Sequence, residues 1–304
     1  MDIKSFIKIA FITLLLSCLG FNLLEKDLVP YGFTVFCVMP ILIGYILGQY
    51  PKFKIVFAFA AVVGMVMFFY FLIIGGLESM WCVLTLSPLL FVLMFVGMHI
   101  GYAIRKSRMD KEDGNKKQDL KVYVLPVFVL LISGILERFF TEKYTEVRVV
   151  TRIMLPYPKG MVFDHTKSFD TLISKKPFMF SIGIQTPLKC VLEKDSVGAR
   201  RTCYFKEGTI DEVVTGFQRG EVLRMKITGY NMPGRKWLHF EEAVYLFRQE
   251  GDSTELTRIT TYKSELKPRF YWDFWEEQAV RAEHDYVLSD LRRRLDAAAK
   301  AVKR

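Results

Sequence analysis

TTYKSELKPRFYWDFWEEQAVRAEHDYVLSDL, residues Thr260–Leu291, is the stretch on which the fold turns. Its first residues finish a run, Thr254–Lys263, rich in β-branched residues and bounded by turn formers, which predicts a strand. Pro268 then interrupts the chain, and Arg269 to Lys300 predicts one long helix. At 100° per residue Phe270, Val280, Val287, Leu288, Leu291 and Leu295 share a face, with Asp273, Glu277 and His284 among them. Trp275, Ala279, Ala282 and Tyr286 form a second stripe. An apolar helix face must be buried against another layer, and a sheet is the available one. The polar trio needs partners if it is buried: either it lines a cavity between helix and sheet, or it sits at an exposed end of the helix or satisfies local backbone groups.

Outward from that stretch the period is two. Strands are predicted at Glu146–Leu155, Lys189–Lys194, Ala199–Lys206, Thr209–Gln218, Glu221–Thr228, Leu238–Gln249 and Thr254–Lys263. Leu223, Met225 and Ile227 alternate with Arg224, Lys226 and Thr228, the pattern of a sheet wet on one face. Turn formers separate the runs at Asp195–Gly198, Glu207-Gly208, Arg219-Gly220, Pro233-Gly234 and Glu250–Asp252, as in an antiparallel meander. Pro156–Ile173 predicts one or two short helices. The reading is an α+β domain over 144–304, its antiparallel sheet wrapped around the C-terminal helix.

Residues 1–140 are different in kind. Of 42 Lys and Arg only 12 precede residue 137, and of 32 Asp and Glu only 8 do. Uncharged stretches run Ile9–Leu24, Leu28–Tyr50, Ile55–Leu77 and Ser79–Ile104, near the ~20 residues that cross a bilayer. A fifth run, Val122–Leu136, reaches bilayer length when extended to Phe140, with Glu137 and Arg138 at the interface. The competing reading makes it a buried helix of the C-terminal domain. The region is expected to be an α-helical membrane bundle of five, possibly four, helices in contact with membrane lipids. Lys4 and Lys8, Lys52 and Lys54, and the Arg105–Lys121 segment alternate with connections that carry little positive charge. The positive-inside rule then puts the N-terminus in the cytoplasm, and five spans put the C-terminal domain outside it, the periplasm in a bacterium. The expected location is the inner membrane. Glu78, in a short connection, and His99, about a turn from the basic segment, are expected to face water or headgroups.

The element order resembles the START-like, polyketide cyclase-like SRPBCC superfamily, the helix-grip group. So do SVGARRTCYFKEGTIDEVVTGFQRGEVLRMKI (Ser196–Ile227) and the closing segment quoted first. The likeness spans about Glu146 to Leu295. It implies a hydrophobic ligand enclosed between sheet and helix, and carries no shared catalytic residue.

The net charge of +10 is spread over mixed signs, without a nucleic-acid motif, so no nucleic-acid partner is expected. No glycine-rich phosphate loop, nucleophile elbow or zinc spacing occurs, and neither cofactor nor metal is expected. Candidate ligand-lining residues are Trp237, His239, Glu241, Tyr262, Trp272, Trp275, Glu277 and His284. The pairs His239–Glu241 and Glu277–His284 are the acid–base candidates, usable only if brought within reach of one substrate. Cys18, Cys37 and Cys82 lie in apolar runs as small hydrophobes. Cys190 and Cys203 fall directly opposite in a hairpin whose paired numbers sum to 393; two reduced thiols are expected, since one bulge would break that register, and a disulfide is the alternative. The functions in view are a binding module for a hydrophobic or lipid-like molecule, a regulatory domain without a ligand, and a cyclase- or hydrolase-type enzyme.

Overall fold

A computed structural model describes residues 3–26, 32–49, 55–75, 77–109, 121–140, 142–231 and 237–302. Lys52, Lys54 and residues 110–120 of the basic segment lie outside the described residues. The chain divides into two compact units. One is Met1–Lys143 with Glu265–Trp272; the other is Tyr144–Ser264 with Asp273–Arg304.

The first unit is helical: α1 (Ile3–Glu25), a π-helical turn Thr34–Val38 running into α2 (Met39–Gly48), α3 (Ile55–Ile74), α4 (Met80–Met109) and α5 (Lys121–Phe140). Pro40 has no N–H to give the carbonyl of Phe36, and the ladder loosens at that point. Among the described residues one helix, Met80–Arg108, is by itself long and apolar enough to cross a membrane, with a mean hydropathy of 2.2. Ile9–Leu23, Thr34–Gly48 and Ala58–Ile74 are shorter apolar helices. Two glycine pairs set the packing of α2 on α4. A Cβ on Gly44 would stand 2.0 Å from the Met94 carbonyl oxygen, and one on Gly97 would stand 2.0 Å from that of Ile41. Gly48 and Gly101, one turn on, meet Met98 and Tyr45 in the same way. Only a hydrogen fits, so the backbones touch, as in small-xxx-small helix pairs. Glu137 is buried. Its carboxylate accepts the amides of Phe33 (2.5 Å) and Thr34 (2.9 Å), which capping logic explains: a helix start has orphan N–H groups and favours a negative charge.

The second unit holds β1 (Thr145–Leu155), α6 (Lys159–Thr166), α7 (Phe178–Ser181), β2 (Lys189–Leu192), β3 (Arg200–Phe205), β4 (Gly208–Gln218), β5 (Val222–Asn231), β6 (Leu238–Glu250) and β7 (Ser253–Ser264). Most of α8 (Arg269–Val302) also belongs to it; its first turn, up to Trp272, clusters with the helical unit. The strands form one antiparallel sheet ordered β1-β7-β6-β5-β4-β3-β2. From β2 to β7 consecutive strands are neighbours, and β1 lies beside β7 at the edge opposite β2, which puts the first and last strands against the helix that follows them. Gly198, Gly220 and Gly251 take positive φ in three of the turns, which only glycine does without cost. The inner face of the sheet buries Leu155, Leu223, Met225 and Leu256 against Leu288, Leu291 and Leu295 of α8. Each such side chain is worth about 1.5–3 kcal/mol. Phe270, assigned by periodicity to that apolar face, is 79 % exposed; it lies in the first turn of α8, which belongs to the helical unit.

Candidate functional site

The site is the layer between α8 and the sheet, and it is graded along the helix. Towards the C-terminal end of α8 it is the apolar core just described. Towards the other end Glu276, Glu283 and His284 meet polar groups on β7 or β1, with Val280 in an apolar cluster between them. Glu276 accepts hydrogen bonds from Ser264 Oγ (2.6 Å) and Tyr262 OH (3.4 Å). His284, fully buried, has Nε2 2.7 Å from Thr260 Oγ1 and Nδ1 2.8 Å from Thr151 Oγ1. A neutral imidazole donates from one nitrogen and accepts at the other, so both hydroxyls are satisfied. Burial, helped by the charges of Arg258 and Arg281, pushes its pKa down to about 2. Arg258, 7 % exposed, pairs through Nη2 with Glu283 (2.7 Å) and lies over the ring of Tyr245 (5.4 Å). Its Nε and Nη1 have no hydrogen-bond partner.

A second polar cluster ties the loop after α6 to the same helix. Asp290, fully buried, accepts from the Ile173 amide (3.0 Å), Arg293 (2.9 Å) and Arg294 (3.0 Å). Burial alone would raise its pKa; the amide and the two guanidiniums outweigh that and hold it below the usual carboxylate range. The ring of Phe169 has Arg294 over it at 5.4 Å and Arg201 at 6.0 Å. Arg201 in turn forms a buried 2.5 Å ion pair with Glu212 on the neighbouring strand. Beside Phe169, Cys190 and Cys203 are joined as a disulfide. No bulge intervenes in that hairpin, so the opposite register survives and the expectation of two reduced thiols fails.

A cleft of about 200 Å³ opens along β1, lined by Ile153, Met154, Leu155, Asp285, Leu288, Ser289 and Arg292. It is smaller than the ~300–1,000 Å³ usual for drug-sized ligands.

The predicted residues scatter around this layer. Tyr262 and His284 are inside it, and Trp237 packs half-buried on the cluster of Val149, Leu238, Tyr262 and Val280. Glu277 stays at the surface in an ion pair with Arg281 (2.6 Å). His239 is exposed, edge-on to Tyr144, and Glu241 pairs with Lys263 (2.5 Å). Glu241 is also the extra residue of a β-bulge between Phe240 and Glu242. Trp275 lies half-buried against Phe274, and Trp272 packs on Phe36 within the helical unit. Glu277 and His284 have separate partners: His284 is held by threonines and Glu277 by an arginine. Among the described residues no group of three or more His, Cys, Asp or Glu is placed to hold a metal. The sequence reading missed Arg258, Glu276, Glu283 and Asp290. Their signal was charge at positions of inward phase on β7 and α8, and it went unread because such charge is far more often solvated.

A seven-stranded antiparallel sheet closed over one long C-terminal helix defines the class of this unit: a helix-grip domain. No protein-family model matches the chain, and neither does any curated protein. Solved structures do match it. One is a Staphylococcus aureus protein of unknown function, 13% identical, with 52% of this chain and 98% of that one covered and a TM-score of 0.39. Ara h 8.0201 is 8% identical over 50% and 99%, with a TM-score of 0.32. The Aha1 dimer of Colwellia psychrerythraea is 13% identical over 47% and 92%, with a TM-score of 0.29. The class rests on this chain's own strand order and helix, not on these likenesses.

Proposed function

We propose that this is a multi-pass membrane protein whose helix-grip domain binds a hydrophobic or lipid-like small molecule between α8 and the sheet. The cleft between β1 and α8 carries the binding reading: it is apolar on its floor, at Ile153, Leu155 and Leu288, and charged at Asp285 and Arg292. The membrane reading is supported by an inverted burial pattern. On α1, Thr13 and Ser17 are buried while Ile7, Phe11, Leu15 and Leu19 are each more than half exposed. Water rejects that arrangement; a hydrocarbon solvent favours it, since polar side chains then bond inside the bundle. Membrane lipids are the corresponding partners. The alternation of basic segments along the sequence supports a cytoplasmic N-terminus with the domain outside, and the Cys190–Cys203 disulfide suits an oxidising compartment.

Two measurements test this. The purified full chain is extracted with organic solvent for mass spectrometry and screened against a lipid panel by thermal shift. An apolar molecule carried through purification, or a melting shift with one lipid class, is expected; the absence of both would leave the reading without support. A reporter active only outside the cytoplasm, fused after Arg304, is expected to be active, and its silence beside an active cytoplasmic reporter would reverse the topology.

A second reading, a regulatory or interaction domain without a ligand, has one observation in its favour. The fully buried Leu155, Leu223, Met225, Leu256 and Leu288 already fill the apolar half of the grip.

A further inference from the structure

We propose that Arg258 is the polar anchor of the grip and selects apolar molecules carrying an uncharged carbonyl oxygen, such as a ketone or an ester. The inference rests on the binding reading above and specifies its ligand. Buried polar atoms nearly always have partners, and a guanidinium carries five N–H donors in a fixed plane. Arg258 is 7 % exposed, and its Nη2 is taken by Glu283, yet Nε and Nη1 donate to nothing. What is missing around it is therefore an acceptor. Charge identifies which kind. Glu283 already neutralises Arg258, and the next buried guanidinium, Arg201, is neutralised by Glu212. An anion would upset a balanced interior, whereas a carbonyl oxygen supplies lone pairs without charge.

Position supports the same ligand. Arg258 pairs in register with Thr151 on β1, and Ile153, the next residue on that face, lines the 200 Å³ cleft. Successive residues of one face are about 7 Å apart, so a chain of six to eight carbons lying in the cleft can bring its polar end to the guanidinium. Arg258 also stands at the change from the polar to the apolar half of the layer, with Thr260 and His284 on one side and Leu256 on the other. An amphipathic molecule fits such a boundary.

The test uses the full chain in nanodiscs, with empty nanodiscs as blank, and two isosteres: 2-octanone and 2-methyl-1-octene, which differ only in an oxygen replaced by CH₂. Calorimetric titration is expected to show the ketone at least tenfold tighter. The infrared stretch of the ¹³C-labelled carbonyl is expected to fall on binding, as for an oxygen bonded to a guanidinium. Arg258→Met should abolish both differences while leaving the alkene's affinity within twofold. The infrared readout needs only the unmodified protein, so a failure of the variant to fold does not spare the idea. Equal affinities with an unshifted stretch would overturn the role of Arg258 and leave the binding reading intact. Binding of neither probe, in a protein that also carries no extracted lipid, would overturn both.

Discussion

Lowering the pH from 7.5 to 5.0 is expected to cost the grip domain about 2 kcal/mol through His284 alone. The imidazole is neutral in the folded protein, with its pKa pushed down to about 2 by burial and by Arg258 and Arg281; unfolded, it returns to the ordinary value near 6.5. Between those two values the unfolded chain holds a proton that the folded one refuses, so stability rises with pH. The contribution is complete above pH 6.5 and is lost as the pH falls below it, at about 1.4 kcal/mol per unit. By pH 5.0 roughly one and a half units have been crossed, which gives the figure above. Asp290 and Asp164 are held below the usual carboxylate range; the stability they add is present above their unfolded pKa near 3.9, so their window lies at more acid pH. The assay is denaturant unfolding followed by tryptophan fluorescence at the two pH values, for the native chain and for His284→Gln. Glutamine keeps a donor and an acceptor for Thr260 and Thr151 but does not titrate. The native chain should lose about 2 kcal/mol more than the variant over this interval. Parallel losses in the two would mean that His284 is not a buried neutral group, and the account of the helix–sheet layer would be wrong.

Three further outcomes are expected. Replacing Cys190 and Cys203 by serine should lower stability by about 3 kcal/mol, the value for a closed loop of this size, with non-reducing peptide mapping showing the native cross-link. Gly97→Leu should dismantle the contact of α4 with α2, seen as a fall of many degrees in the melting temperature of the detergent-purified chain, because the side chain has no room beside the Ile41 carbonyl. Arg201→Met should cost about 3–5 kcal/mol by stranding the buried Glu212 charge, and adding Glu212→Met should recover most of it, since two apolar side chains then pack where an ion pair was; unfolding free energies of the single and double variants measure this.

What sequence alone determined here is local and periodic. The seven strands and the long helix were legible because alternation of two and a stripe at 3.6 residues are properties of neighbours, and glycines at 198, 220 and 251 mark the turns where only a glycine backbone fits comfortably. The strand–helix order was enough to expect a grip. Tertiary structure decided everything that depends on residues far apart in the chain. Glu137 is buried because helix starts at Phe33 and Thr34 offer it their amides, about a hundred residues away. The absence of a bulge let Cys190 meet Cys203, and Lys263, which stands opposite His239 across the sheet, took Glu241 as its ion-pair partner. Trp272 left the predicted lining because the first turn of its helix packs with a different unit. Arg258, on which the ligand inference rests, looks in sequence like any surface charge of an alternating strand. Only the helix laid over it removes the water and leaves two donors waiting for an acceptor.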